Sequence, residues 1–203
     1  MSQQTQPDSE FLGKYESTGR IGQLLINRFF SAGQKLLSPH LKLNDSVLEV
    51  GCGPGYSTRK IAQWKPGVRL VGGDLSASLL EHAQRLNSDT RFLRESVYSL
   101  PHPDKSIDVA LLLEVLEHLE RPDAALVELQ RVVRRRLLLS TPREPLWRML
   151  NFTRGKYLSQ FGNTPGHIQH WSTRSLIRQV SPYFRVEAVA TPIPWTILLL
   201  APK

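Results

Sequence analysis

Glu49, Gly51, Gly53, Gly55 and Asp74 are the residues whose types and spacing point most directly to chemistry. The glycines alternate in Glu49-Val50-Gly51-Cys52-Gly53-Pro54-Gly55, after a β-rich run from Ser46 to Val50 and before helical spacing from Tyr56 to Trp64. Glycines there let the backbone turn tightly and come close to a ligand at a helix N-terminus, so a nucleotide-like ligand is implied. Dinucleotide folds require a further glycine beside the pyrophosphate, at the place Tyr56 occupies here. Glu49 adds a carboxylate that repels a pyrophosphate and attracts an ammonium. Asp74 lies 19 residues beyond Gly55, at the end of a second strand, where a carboxylate accepts hydrogen bonds from both ribose hydroxyls. The expected ligand is a cationic nucleoside without phosphate.

A second group is Glu114-Val115-Leu116-Glu117-His118, after an apolar run from Asp108 to Leu113. If it turns helically, Glu114, Glu117 and His118 gather on one side. Two carboxylates and an imidazole suit a divalent ion: oxygen ligands favour magnesium or manganese, and the histidine admits zinc or iron. Gly166-His167-Ile168-Gln169-His170-Trp171 offers a further histidine ligand. Without a metal, His118 is a base or orients a loop, and Glu117 is a solvated carboxylate at a helix start.

These residues need a scaffold, and apolar periodicity supplies one. An N-terminal helix is predicted from Gly19 to Leu41, and strands at 46–50, 68–72, 91–93, 108–113, 136–140, 185–190 and 196–201. Helices fall at 56–64, 76–86 with Ser76 as N-cap, 122–133, and from Ser172 or Thr173 to Val180. Strands alternating with helices predict an α/β fold with a mainly parallel sheet, an antiparallel last strand, and ligands at the carboxyl ends of the strands. The stretch from Arg143 to His170 reads as irregular and, for its length, as a lid.

The 203 residues, 40% hydrophobic, suit one domain. The sole cysteine, Cys52, excludes an intramolecular disulfide framework and a thiolate metal cluster, and reads as a packed small residue. The polar start MSQQTQPDSE lacks a signal-peptide pattern, so a cytoplasmic location is expected; the longest apolar run, Trp195 to Pro202, is too short to cross a membrane. The charge is uneven: residues 1–130 hold 14 Lys+Arg and 16 Asp+Glu, whereas residues 131–203 hold 12 and 2. That basic third suits phosphate, nucleic acid or anionic lipid head groups, or is only a solvated face.

The segments VLEVGCGPGYS, VGGDLS, SLPHPDKSIDVALLLEVLEHL and LLLSTP, within residues 46–142, resemble the class I S-adenosylmethionine-dependent methyltransferases. The resemblance implies a Rossmann-like three-layer sandwich with a seven-stranded sheet, an N-terminal helical cap over residues 1–41 and a lid insertion over 143–171. It implies S-adenosylmethionine as donor and S-adenosylhomocysteine as product. Glu49, Gly51, Cys52, Gly53 and Gly55 would line the methionine end, with Leu113 beside them. Asp74 would hold the ribose, Leu75 an adenine face, and Ser96 with Val97 the adenine edge. Many relatives carry an acid where Ser96 stands, which leaves Ser96, Glu95 or a backbone carbonyl to meet the adenine amino group.

The E-x-x-E-H motif is similar to that of small-RNA 2′-O-methyltransferases and ubiquinone-pathway O-methyltransferases, where it is associated with a divalent metal. His167 and Trp171 match the later histidine-tryptophan interval of the RNA branch; His170 does not. The implied metal set is Glu114, Glu117, His118 and His167, holding magnesium, manganese or zinc, with His118 and Glu114 as catalytic groups.

In the lid, Arg143, Arg148, Arg154 and Lys156 suit an acidic acceptor, and Trp147, Tyr157 and Phe161 an aromatic or lipid-like one. Gly13-Lys14-Tyr15, before the first helix, suits either closure over the cofactor or a disordered start. Three functions follow: a methyltransferase acting on a small-molecule acceptor at oxygen, an RNA methyltransferase using the basic third, and a non-catalytic cofactor-binding protein. A compact chain without an appended RNA-binding module favours the first. Oligomeric state is not encoded in these patterns.

Overall fold

The structure is a computed structural model that describes residues 19–153, 161, 163–164 and 166–203. Helix α1 (Arg20–Leu37) buries Phe29, Phe30, Gly33 and Leu37, then tightens into a short 3-10 turn at Ser38–His40, where Pro39 cannot continue the α-helical bonding. There follow β1 (Ser46–Val50), α2 (Tyr56–Ala62), β2 (Arg69–Asp74), α3 (Ala77–Leu86), β3 (Arg91–Arg94), β4 (Ile107–Leu113), α4 (Pro122–Val132) and β5 (Val133–Pro142). The chain ends with α5 (Leu146–Thr153), α6 (Thr173–Val180), β6 (Phe184–Ala190) and β7 (Trp195–Pro202).

The strands form one sheet in the order β3-β2-β1-β4-β5-β7-β6, with β7 antiparallel to both neighbours and the pairs among β1 to β5 parallel. β1 and β4 are adjacent while their connections leave in opposite directions, and such a switch point opens a crevice at the carboxyl ends. Val109, Ala110, Leu111 and Leu112 are fully buried in β4, because helices cover both faces of the sheet. On one face Leu48, Leu112 and Leu139 pack with α4 and α6; on the other Val47, Leu111 and Leu138 pack with α1 and Trp64.

Two expectations change. β5 begins three residues earlier than its sequence suggests, because the arginines at its start are paired with acids from other elements. Arg134 bonds Asp108, Arg135 reaches Asp45 at 2.5 Å, and Arg136 reaches Glu187 at 2.7 Å. Three of the twelve Lys and Arg in residues 131–203 are therefore engaged in these internal ion pairs. The stretch after β5 is also not wholly irregular, since it contains α5. Gly13, Lys14, Tyr15, Arg154, Lys156 and Tyr157 lie outside the described residues. Among the described residues, no helix is long and apolar enough to cross a membrane.

Candidate active site

The loop after β1 is shaped by hydrogen bonds to β2. Gly51 N and Cys52 N both donate to Gly73 O, at 2.7 and 3.0 Å, and Gly55 N donates to Cys52 O at 3.1 Å. Gly51 sits at φ +74°, and a Cβ there would collide with Val115, so glycine is required twice over. Gly53, at φ +53°, has no atom within 4 Å of where a Cβ would stand, which leaves room for a ligand against the backbone.

Asp74 ends β2 between two backbone donors, Gly53 N and Ser76 N, each at 2.9 Å, which fix its orientation and leave each oxygen further lone pairs for ribose hydroxyls. Ser76 in turn caps α3 through Leu79 N. Leu75 presents an apolar side chain, 41% exposed, beside it. Glu49 is 1% exposed and accepts from Thr58 Oγ1 at 2.5 Å. Burial pushes its carboxyl up to about 7 against the hydrogen bonds from Ser57 and Thr58, and the nearby Asp74 charge adds to the rise. A buried carboxylate of this kind gains from a cationic ligand. Open space at Gly53, an exposed apolar wall at Leu75 and anions at Glu49 and Asp74 together fit S-adenosylmethionine.

Other expected cofactor contacts look different. The thiol of Cys52 is buried, with its pKa raised by burial and then by Glu49 and Asp74, and both backbone polar groups of Cys52 are bonded within the protein; its part is to shape the loop. Val97 packs in the core, so only its backbone is available to an adenine. Ser96 accepts from Tyr98 N at 3.3 Å, and Leu113 is half-buried at the end of β4. Glu95 is 7% exposed, with Oε2 on His102 Nε2 at 3.0 Å and Oε1 packed against Gly73; burial raises its pKa, and His102 opposes the rise.

After β4 the chain does not continue as an α-helix. Glu114 adopts φ +59°, a strained conformation for a residue with a side chain, and only Leu116–His118 forms a 3-10 turn. The expected gathering of Glu114 with Glu117 and His118 is therefore corrected. Glu114 turns away, accepting from Ser140 Oγ at 2.8 Å and Trp195 Nε1 at 2.7 Å. Glu117, His118 and His167 do come together, their potential ligand atoms all within 4.8 Å of one another. Ile168 N and Gln169 N donate to Glu117 O, both at 3.0 Å, and so pin the segment after His167 to the 3-10 turn.

His118 Nδ1 lies 2.9 Å from Gly166 O, so Nδ1 carries the proton and Nε2 is the basic nitrogen. His167 is 5% exposed, edge-on to His118 and tilted over Trp147. Trp147 and Asn151 of α5 both donate to Thr164 Oγ1, at 2.9 and 3.2 Å, which ties α5 to the segment carrying His167. Ser140, Trp195 and Thr164 were not singled out by their spacing; each acts through a partner distant in sequence.

Residues 48–139 match the family model described as Methyltransferase domain. An uncharacterized methyltransferase of Schizosaccharomyces pombe is 36% identical over 106 residues, 47% of this chain and 38% of that protein. Malonyl-[acyl-carrier protein] O-methyltransferase of Serratia marcescens is 31% identical over 127 residues, 62% of this chain and 46% of the relative. The matches thus span less than half the length of these relatives. The solved magnesium protoporphyrin IX methyltransferase of Synechocystis PCC 6803, with bound S-adenosylhomocysteine, has a TM-score of 0.69 at 18% identity, covering 92% of this chain and 89% of that one; that likeness is one of fold. The sheet order and the loop geometry fit the fold of that solved methyltransferase, and the match to the family model, over 92 of the 203 residues, supports an S-adenosylmethionine-dependent methyltransferase domain of class I.

Proposed function

We propose that this chain transfers the methyl group of S-adenosylmethionine to an oxygen of a small-molecule acceptor, with His118 as the proton acceptor. The observation that carries the proposal is the hydrogen bond from His118 to Gly166 O, which makes Nε2 the basic nitrogen at the carboxyl edge of the sheet. When bound, S-adenosylmethionine supplies an electrophilic methyl on a sulfonium. Glu49 and Asp74 hold the donor's ammonium and ribose, and Gly51, Gly53 and Gly55 let the backbone meet it. His118 takes the acceptor's proton, and such general-base help is commonly worth 10²–10⁴ in rate. Glu114, fixed by Ser140 and Trp195, is a rigid anion that orients the acceptor. The Serratia relative, an O-methyltransferase by name, supports oxygen as the target.

A second reading rests on the grouping of Glu117, His118 and His167 within 4.8 Å. Two imidazoles and a carboxylate suit zinc better than magnesium or manganese, and a divalent ion there would supply Lewis acidity. The RNA alternative draws little support from the basic third, whose arginines at 134, 135 and 136 pair with carboxylates. Labelled donor, incubated with a metabolite extract or with total RNA, with and without thorough chelation, separates the readings. The proposal expects label in a small molecule; label in RNA alone overturns it, and activity indifferent to chelation removes the metal. A cytoplasmic location belongs to the same proposal and is checked by fractionation.

A further inference from the structure

We propose that Asn87, just past the end of α3, is a positioning residue for the donor: it fixes the closing residue of the glycine loop from the side that protein fills. Its carboxamide Nδ2 donates to Gly55 O at 3.0 Å, across 32 residues of sequence, and to Ala83 O at 3.1 Å. Both neighbours are carbonyls, which only accept, so the nitrogen of the amide faces them and both of its N–H groups are used. The asparagine is itself held in place. Its backbone N–H closes α3 on Ala83 O at 3.0 Å, and its carbonyl accepts from Thr90 N at 3.2 Å.

Gly55 is where the loop becomes α2. Its carbonyl also accepts from Arg59 N at 3.1 Å, the first hydrogen bond of that helix, so the bond from Asn87 bears on the point at which loop and helix join. The end of α3 packs closely here: a Cβ on Gly55 would lie 2.7 Å from Asn87 Nδ2 and 2.8 Å from Ala83 Cβ. Gly53, two residues earlier, faces open space instead. The loop therefore has one side closed by α3 and one side left to the ligand.

Hydrogen bonds anchor the loop along its length. Gly51 N and Cys52 N reach Gly73 O, Gly53 N reaches Asp74, and Gly55 O receives Asn87. The first two anchors are on β2, and Asn87 is the one at the far end, next to α2. A loop already in its bound shape binds more tightly than one the ligand must order, because the ordering entropy has been removed beforehand. Without Asn87 the donor meets a loop less fixed at Gly55. Asn87→Asp, close to it in shape, sets a carboxylate oxygen against two carbonyl oxygens and replaces attraction with repulsion.

The test is calorimetry of S-adenosylhomocysteine with wild type, Asn87→Ala, Asn87→Asp and Gln84→Ala, each checked for folding by urea unfolding. Gln84 bonds the same turn, through Nε2 to Thr90 O at 3.2 Å, and controls for loosening the end of α3 without removing the bond to the loop. Affinity is expected to fall about tenfold in Asn87→Ala, as for one lost hydrogen bond, further in Asn87→Asp, and to hold in Gln84→Ala. Wild-type affinity in folded Asn87 variants overturns the proposal, and so does an equal loss in Gln84→Ala. Because this role rests on Gly51 to Gly55 being the donor loop, a wild-type protein that binds no S-adenosylhomocysteine removes the loop's role and that of Asn87 together, a result distinct from either.

Discussion

Trp195 donates its indole N–H to Glu114 across 2.7 Å, joining the first residue of β7 to the tip of β4. The same indole packs 5.9 Å from Trp147 on α5 and 5.0 Å from Phe29 on α1, so one side chain connects α1, α5 and the strained turn after β4. Trp195→Phe keeps much of that packing and removes the donor. A lost hydrogen bond to a charged group is expected to cost about 1.5–3 kcal/mol. Thermal unfolding should show the loss, and turnover should fall while affinity for S-adenosylhomocysteine holds; an unchanged turnover would remove Glu114 from the reaction.

Asp74 is the most direct probe of donor binding. Its oxygens are oriented by Gly53 N and Ser76 N, so Asp74→Ala removes both the ribose acceptor and a support of the loop. Affinity for S-adenosylhomocysteine, read by calorimetry, should drop about 100-fold, equivalent to roughly 2.7 kcal/mol. Wild-type affinity in this variant would contradict the site.

Glu49 predicts a pH dependence. Its carboxyl is raised from 4.5 to about 7 in the folded protein, chiefly by burial. The folded state therefore holds this proton more tightly than the unfolded chain, and stability falls as pH rises from about 4.5 to about 7. The cost above that window is on the order of 3 kcal/mol. Glu49→Gln should abolish this part of the slope in denaturant unfolding and make the apo protein more stable at pH 8. It should also weaken binding of the cationic donor; parallel stability curves for the two proteins would show that Glu49 is not perturbed.

Gly51 carries two demands, a positive φ and the space occupied by Val115. Gly51→Ala should destabilise by about 2 kcal/mol or more. Adding Val115→Ala should recover only the part due to collision, since the backbone strain remains. Full recovery in urea unfolding would mean that the left-handed conformation costs nothing.

Much of this site is legible in the sequence because its signals are local. Glycines between a strand and a helix, an acid at the end of β2, and the unbroken apolar run of β4 each follow from chain-neighbour patterns. What was not legible depends on distant partners. The arginines opening β5 look unlike a strand until Asp108, Asp45 and Glu187 neutralise them. Helix α5 lacks a polar outer face, since Met149 and Phe152 are exposed, and Pro142 and Pro145 precede it, so periodicity read it as irregular. Glu114 departs from helical offsets because its partners Ser140 and Trp195 lie 26 and 81 residues away. The interval between His167 and Trp171 is readable in the sequence, whereas the hydrogen bond from His118 to Gly166 that sets the tautomer becomes visible only in the fold.

The central claim, methyl transfer with His118 as proton acceptor, is tested most directly by comparing wild type and His118→Gln for label transferred from S-adenosylmethionine to a small-molecule acceptor, with donor affinity measured on both. The account predicts intact affinity in the variant and a rate lower by about 10²–10⁴, recovered in part as pH rises and the acceptor ionises on its own. Equal rates, or a wild-type protein that binds the donor and labels no acceptor, would contradict it.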